Sequence, residues 1–224
     1  MQHLELGSIH LAYGKHPTRQ QGVCLLEAVA WFAGEAHSDH PTCVSPLLGG
    51  LGRAWNDTLD DTTRQGLVGF IPRLVGTAAD GTDQKRAWML TDWLARTYAP
   101  ALLRTAGLTL EAQRLEQAPP VTGPEPAASL LPTLEAASKL AWAAFEPAAA
   151  GQPTQDADAA EAVARALPVG AVWAAARDEL AAAWAPGGVA WGFVSGAQPA
   201  IAQIQASGFE LLGRLCDAAR TATT

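Results

Sequence analysis

Helix start and stop signals follow one another along the first half of this chain. Val23 to Ala33 is a strongly apolar segment, and Gly34 directly after it suits a left-handed C-cap. Ser45 and Pro46 have the pattern of an N-cap followed by proline at the first helical position. Further caps are expected at Asp60, Asp61, Thr82 and Thr109. Together these signals predict an all-α fold.

A change of composition near residue 118 divides the chain. Residues 1–118 carry the capped helices and predict a helical bundle; near their start, H-L-E-L-G-S-I-H-L-A-Y alternates imperfectly and suits a short β element. Ala118 to Ala128 is rich in proline and predicts a stiff, extended linker. The alanine-rich remainder predicts helices held by sparse large residues. Those large residues are Trp173, Trp184 and Trp191. We therefore expect a linker and Ala/Trp-rich helices over 119–224.

Charge and hydropathy exclude several classes of protein. The net charge is −7 and the pI about 5.2, so no basic stripe favours non-specific phosphate binding. No apolar run reaches the roughly 20 residues that a membrane helix requires. The N-terminus M-Q-H-L-E-L-G lacks a basic region followed by an apolar stretch, so no signal peptide is visible. We expect a cytoplasmic protein without membrane contact.

Several motifs in a fixed order resemble a known family. The order C-L-L-E-A-V-A, A-G-E, S-D-H-P-T-C, W-N-D, R-L-V-G-T and M-L-T-D-W-L-A-R-T-Y-A-P resembles a recurrent family of uncharacterised actinobacterial and phage proteins. Members continue into helical repeats rich in alanine and tryptophan and finish with a segment similar to I-Q-A-S-G-F-E-L-L-G-R-L. The resemblance covers most of the chain and implies a helical protein, but no particular activity.

A cluster of cysteine, histidine and aspartate side chains suggests a metal site. Cys24, His37, His40 and Cys43 supply the thiolate and imidazole ligands that zinc prefers in tetrahedral sites, and Asp39 stands ready to replace or orient a histidine. The H-x2-H-x2-C order is unusual for zinc modules. The alternative is that Cys24 packs in a helix and Asp39 caps a turn while the histidines face solvent.

A thiol enzyme is a second interpretation of the same segment. In Q-Q-G-V-C, Cys24 lies near a helix N-terminus, where the helix dipole lowers a thiol pKa, and Gln20 is placed to stabilise an oxyanion. Thiol enzymes of the papain-like kind take their histidine from well downstream. Because this chain has no histidine after His40, the sequence counts against this interpretation.

Carboxylates and arginines provide two further alternatives. A metal-dependent hydrolase would use Asp39 and His40 together with Asp57 in W-N-D-T-L-D-D, where oxygen ligands suit magnesium. A nucleic-acid-binding protein would use the arginines of the Arg53–Arg104 region. Interleaved carboxylates there favour a solvated helix face with ion pairs instead.

The composition favours a non-enzymatic role over these alternatives. Eight tryptophans are spread over helices that alanine alone would hold weakly, and aromatic side chains are suited to docking. We therefore expect a helical protein that acts through protein–protein interaction or assembly, with a partner or with itself. A structural zinc at Cys24, His37, His40 and Cys43 is compatible with that role.

Overall fold

A computed structural model describes residues 5–149 and 198–220 of the chain. Within these ranges the chain forms helices and turns and no strand, which confirms the all-α prediction. The α-helices are α1 (Leu25–Ala33), α2 (Pro46–Thr58), α3 (Asp61–Arg64), α4 (Ile71–Leu74), α5 (Asp83–Trp93), α6 (Ala99–Thr105), α7 (Thr109–Glu116), α8 (Pro124–Ala149) and α9 (Gln198–Cys216). The segment with Trp173, Trp184 and Trp191 lies outside the described residues.

The predicted ends of the first helices are confirmed. Gly34 follows α1 with φ +75°, the left-handed conformation that favours glycine. The hydroxyl of Ser45 accepts the amide of Leu48, and Pro46 occupies the first turn of α2. Asp60 accepts the amide of Thr63 and so caps α3. Local sequence chemistry is sufficient to fix these three positions.

By its contacts the chain divides into two compact units. The first consists of Met1–Arg86 together with Gly213–Thr224, and the second is Ala87–Leu212. The domain boundary predicted at residues 118–119 falls inside the second unit and stays a prediction.

Helix α1 forms the centre of the first unit. It packs against α2 and α4, and Leu25, Leu26 and Val29 are fully buried. Helix α2 approaches closely at Gly52, where a Cβ atom would lie 2.9 Å from a methyl carbon of Leu26. Because α1 is buried on nearly all sides, any polar group at its N-terminus must find its partners inside the protein.

A buried arginine joins the end of the chain to the first unit. The guanidinium of Arg86 is completely buried and donates to the carbonyl oxygens of Leu215, at 2.9 Å, and Thr77, at 3.2 Å. It also forms ion pairs with Asp80 and Asp83. A buried cation needs such partners, so residues around Leu215 are a fixed part of this unit.

The second unit contains most of α5, all of α6, α7 and α8, and α9 as far as Leu212. Within it, α7 packs against α6 and α8. A π-helical turn, Leu94–Tyr98, precedes α6. Pro100 has no amide hydrogen to donate to the preceding turn, which accounts for the irregularity at this point. Helix α8 buries one face made of small and medium side chains, namely Ala127, Leu130, Leu134, Ala137 and Ala141.

Two sequence expectations need correction. The linker expected over 118–128 is shorter, because α8 begins at Pro124; a proline is accommodated in a first helical turn, where its missing amide hydrogen would have no partner. The short β element expected near the start is not formed by residues 5–20, which contain a 3-10 turn at Leu6–Ser8 followed by irregular chain. No described helix combines the length and the hydropathy of a membrane span.

Candidate functional site

The N-terminus of α1 carries a completely buried carboxylate. Cys24 is the N-cap residue, and Glu27 occupies the third position of the helix. An Oε2 oxygen of Glu27 accepts the Cys24 amide at 2.8 Å, while the Cys24 side chain faces the Glu27 amide. This reciprocal arrangement is a capping box, and it follows from the C-x-x-E spacing in the sequence.

Glu27 also binds a histidine from the preceding loop. The His16 amide donates to Oε1 at 2.7 Å, and its ring Nδ1 donates to Oε2 at 2.9 Å. An ionised carboxylate only accepts hydrogen bonds, so the Nδ1 atom of His16 carries the proton that is shared with Glu27. The ring rests against Gly22, where a Cβ atom would come within 2.6 Å of it and where φ is +140°. Position 22 therefore requires glycine for two reasons.

A second histidine completes the cluster. Nε2 of His37 donates to the carbonyl oxygen of His16 at 2.9 Å and lies 3.7 Å from Oε1 of Glu27. Nδ1 of His37 is buried and finds no hydrogen-bond partner among the described residues. The main chain of His16 is thus held on both sides, at its amide by Glu27 and at its carbonyl by His37.

The charge on Glu27 is stabilised by these donors. Burial disfavours the charged form, but the amides of His16 and Cys24 and the His16 ring outweigh that cost and hold the pKa of Glu27 below its ordinary value. The carboxylate is therefore ionised at neutral pH, and each of its strong bonds is charge-assisted.

The same loop is held at Leu11, Ala12, Gly14 and His16 by side chains from elsewhere in the chain. We call Leu11–His16 the strap. The Gln65 side chain accepts the Leu11 amide at 2.8 Å and donates to its carbonyl at 2.9 Å. Asn56 donates to the Ala12 carbonyl at 2.9 Å, and Asp57 accepts the Gly14 amide at 2.9 Å. We call the five side chains that bind the strap the strap site: Glu27, His37, Asn56, Asp57 and Gln65.

The four predicted zinc ligands do not converge. Cys24 is 3% exposed beneath Glu27, and the His37 nitrogen that has a partner donates to the strap. His40 is mostly exposed, with Nδ1 donating to Asp39 at 2.9 Å. The amide of Cys43 donates instead to Glu35, at 2.9 Å. Cys24 and His37 belong to the hydrogen-bond network around Glu27, whereas His40 pairs with Asp39 and Cys43 with Glu35.

Asp39 also has partners of its own within the protein. Besides His40, its carboxylate lies 3.4 Å from Nζ of Lys15, and its carbonyl accepts Arg53. Among the described residues, no group of three or more histidine, cysteine, aspartate or glutamate side chains is arranged to hold a metal ion. The residues as placed do not fit a tetrahedral zinc site, so no chemistry is assigned to one, and zinc binding stays a prediction.

The environment of Cys24 does not support the thiol-enzyme interpretation. Burial, followed by the nearby negative charge of Glu27, raises the pKa of Cys24 to about 12, despite opposing backbone hydrogen bonds at the helix N-terminus. A nucleophilic cysteine needs a populated thiolate and access to substrate. At neutral pH Cys24 has neither.

The structure gives no support to the other two alternatives. For the hydrolase, Asp57 is used in holding Gly14 and Asn56, apart from the network of Asp39 and His40. For nucleic acid, the arginines that we singled out each donate to a carboxylate or a carbonyl oxygen. These arginines are Arg53, Arg64, Arg73, Arg86, Arg96 and Arg104. Both alternatives stay untested predictions.

Among the five strap-site residues, Gln65 was not identified from the sequence. For Glu27, the C-x-x-E spacing at a helix start was a usable signal. For Gln65 no local signal exists, because its partner Leu11 lies 54 positions away. Comparison with protein-family models, curated proteins and solved structures finds no match. The resemblance to the actinobacterial and phage family thus stays a prediction.

Proposed function

We propose that the protein acts by binding non-helical polypeptide segments, as a protein-interaction or assembly protein, and that the strap site is its binding element. One observation carries this proposal. Seven hydrogen bonds hold the main chain of the strap, six from the strap site and one from the Val23 carbonyl. Asp57, which the hydrolase interpretation would use for catalysis, instead accepts a main-chain amide of the strap.

The hydrogen bonds to the strap are of the kind that peptide-binding proteins use. In strand-like peptide binding, main-chain hydrogen bonds supply affinity and pockets for individual side chains supply specificity. The strap site binds main-chain atoms at Leu11, Ala12, Gly14 and His16, and it buries Leu11 completely. The side chains of Tyr13 and Lys15 remain 68% and 70% exposed. An exposed tyrosine is a residue type that dominates many interfaces.

The proposal places the protein in the cytoplasm, with a protein as partner. Cys24, Cys43 and Cys216 are free thiols. In a reducing compartment they remain so, and no disulfide is needed to hold the strap.

The test uses the full chain, cut after folding. A protease site is inserted into the exposed loop Pro17–Gln21. Cleavage there cuts the peptide chain between the strap and α1, while the strap stays bound by its noncovalent contacts. A fluorescent peptide with residues 5–17 is then added, and its anisotropy is followed. We expect the labelled peptide to enter the site as the cut strap leaves, and unlabelled peptide to displace it.

The matched control is the same peptide with Gly14→Val. Gly14 has φ +77°, which valine adopts only with strain, so this peptide should bind at least about tenfold more weakly. Equal binding of both peptides, or no exchange by the native one in a folded, cut protein, would contradict the proposal.

A further inference from the structure

We infer that the strap is exchanged between two copies of this chain, so that Leu11–His16 of one copy occupies the strap site of the other. The inference rests on the proposed function and names the partner of that same site. It follows from what the site recognises, from the sequence that it accepts, and from the loop that connects the strap to α1.

Recognition does not depend on which copy supplies the strap. The site contacts the strap mainly at main-chain atoms, and all seven hydrogen bonds can be remade when the segment comes from a second copy. Exchange of an identical element conserves these contacts, which is why it is a low-cost route to a dimer.

Three residues define the segment that the site accepts. Leu11 is fully buried, Gly14 has a positive φ, and the His16 ring donates to Glu27. The resulting pattern, L-x-x-G-x-H, occurs once in the chain, at the strap itself. A second copy therefore supplies a segment that meets every requirement of the site.

The connecting loop opposes opening only weakly. Pro17–Gln21 is exposed throughout, and its internal hydrogen bonds join Thr18 to Gln21. The guanidinium of Arg19 lies 4.8 Å from the ring centre of Trp31, a contact that a partly exposed pair makes at small gain. Connection within one chain gives the strap a local concentration of about the millimolar range, which favours the closed monomer in dilute solution. Exchange in the unaltered protein should therefore grow as the protein concentration approaches that range.

The test mixes two defective full-length variants. Leu11→Asp spoils the strap but leaves the site intact. Gln65→Ala with Asp57→Ala removes three of the seven strap hydrogen bonds but leaves the strap sequence intact. In the mixture, the intact strap of the second variant can fill the intact site of the first. We expect a heterodimer of twice 23.3 kDa by light scattering, about tenfold more abundant than any dimer of either variant alone.

Further variants guard against loss of folding. Gly14→Val is a second strap-defective variant, used if Leu11→Asp does not fold by circular dichroism. Mixing Leu11→Asp with Gly14→Val should give no dimer, because neither copy has an intact strap. A mixture of strap-defective and site-defective chains that stays monomeric while both are folded would overturn the inference. If the labelled peptide nevertheless enters the cut protein, the proposed function survives and only the second copy as partner is lost.

Discussion

Replacing the buried carboxylate by an amide is a sharp test of how the strap is held. In Glu27→Gln the shape is conserved, but three donors point at the original oxygens: the His16 amide, the His16 ring and the Cys24 amide. Glutamine has a single acceptor oxygen, and its NH2 group would face at least one of these donors.

The expected loss can be worked from those contacts. One buried donor without a partner costs about 1–3 kcal/mol, and hydrogen bonds to a charge are worth about 1.5–3 kcal/mol against about 1 kcal/mol for neutral ones. One unpaired donor and two weakened hydrogen bonds together cost about 2–7 kcal/mol, so we expect Glu27→Gln to lose at least about 3 kcal/mol. Glu35→Gln is the matched control: Glu35 also accepts three hydrogen bonds, but water can replace them at its partly exposed position. We expect about 1 kcal/mol there.

Hydrogen–deuterium exchange of the strap amides measures this effect locally. A loss of about 3 kcal/mol accelerates exchange at Leu11, Gly14 and His16 by about a hundredfold, if these amides exchange through opening of the strap. The pH dependence gives an independent check. The pKa of Glu27 is lowered from 4.5, so its contribution is complete above that pH and is lost as pH falls through the folded-state pKa. The difference between wild type and Glu27→Gln should shrink on acidification; equal exchange in Glu27→Gln and Glu35→Gln would refute the reasoning.

Three further outcomes follow from the packing of the first unit. Gly22→Ala should lower the free energy of unfolding in urea by about 1–3 kcal/mol, because φ is +140° at this position and the new Cβ atom would meet the His16 ring. Gly69→Ala, where the new Cβ atom enters open space, is the control. Arg86→Met should lower the free energy of unfolding by about 3 kcal/mol or more in the same assay, because Asp80 and the Leu215 carbonyl lose their cationic partner. With a thiol reagent at neutral pH, Cys43 should react first, because it is partly exposed whereas Cys24 and Cys216 are buried. Burial raises the pKa of all three thiols, that of Cys24 to about 12 and that of Cys216 to about 11. Reaction of Cys24 in the folded protein as fast as Cys43 would contradict its placement.

Features that depend on a few neighbouring residues were predictable from the sequence. Gly34, Ser45 and Asp60 mark helix ends because their own side chains or φ angles satisfy adjacent backbone groups. The start of α8 at Pro124 was missed because proline was taken as a sign of extended chain, although a first helical turn accepts it.

Of the four predicted zinc ligands, only His37 belongs to the strap site. The segment from Cys24 to Cys43 does hold unusual polar chemistry, yet its partners come from elsewhere. Glu27 binds His16 from the preceding loop, and the Asn56 side chain reaches Ala12 across 44 positions. Clusters of ligand-type residues close in sequence suggest a metal site, whereas here each side chain is directed by tertiary contacts that spacing does not encode. The hydrogen bond from Arg86 to the Leu215 carbonyl could not be predicted for the same reason.

The central claim is that the strap site recognises a non-helical segment and releases it. The most direct measurement is the fluorescence anisotropy of the labelled 5–17 peptide added to the full chain cut within Pro17–Gln21. The account predicts that the native peptide enters the site, that unlabelled peptide displaces it, and that the Gly14→Val peptide binds at least about tenfold more weakly. A folded, cut protein that takes up neither peptide, or both equally, would contradict it.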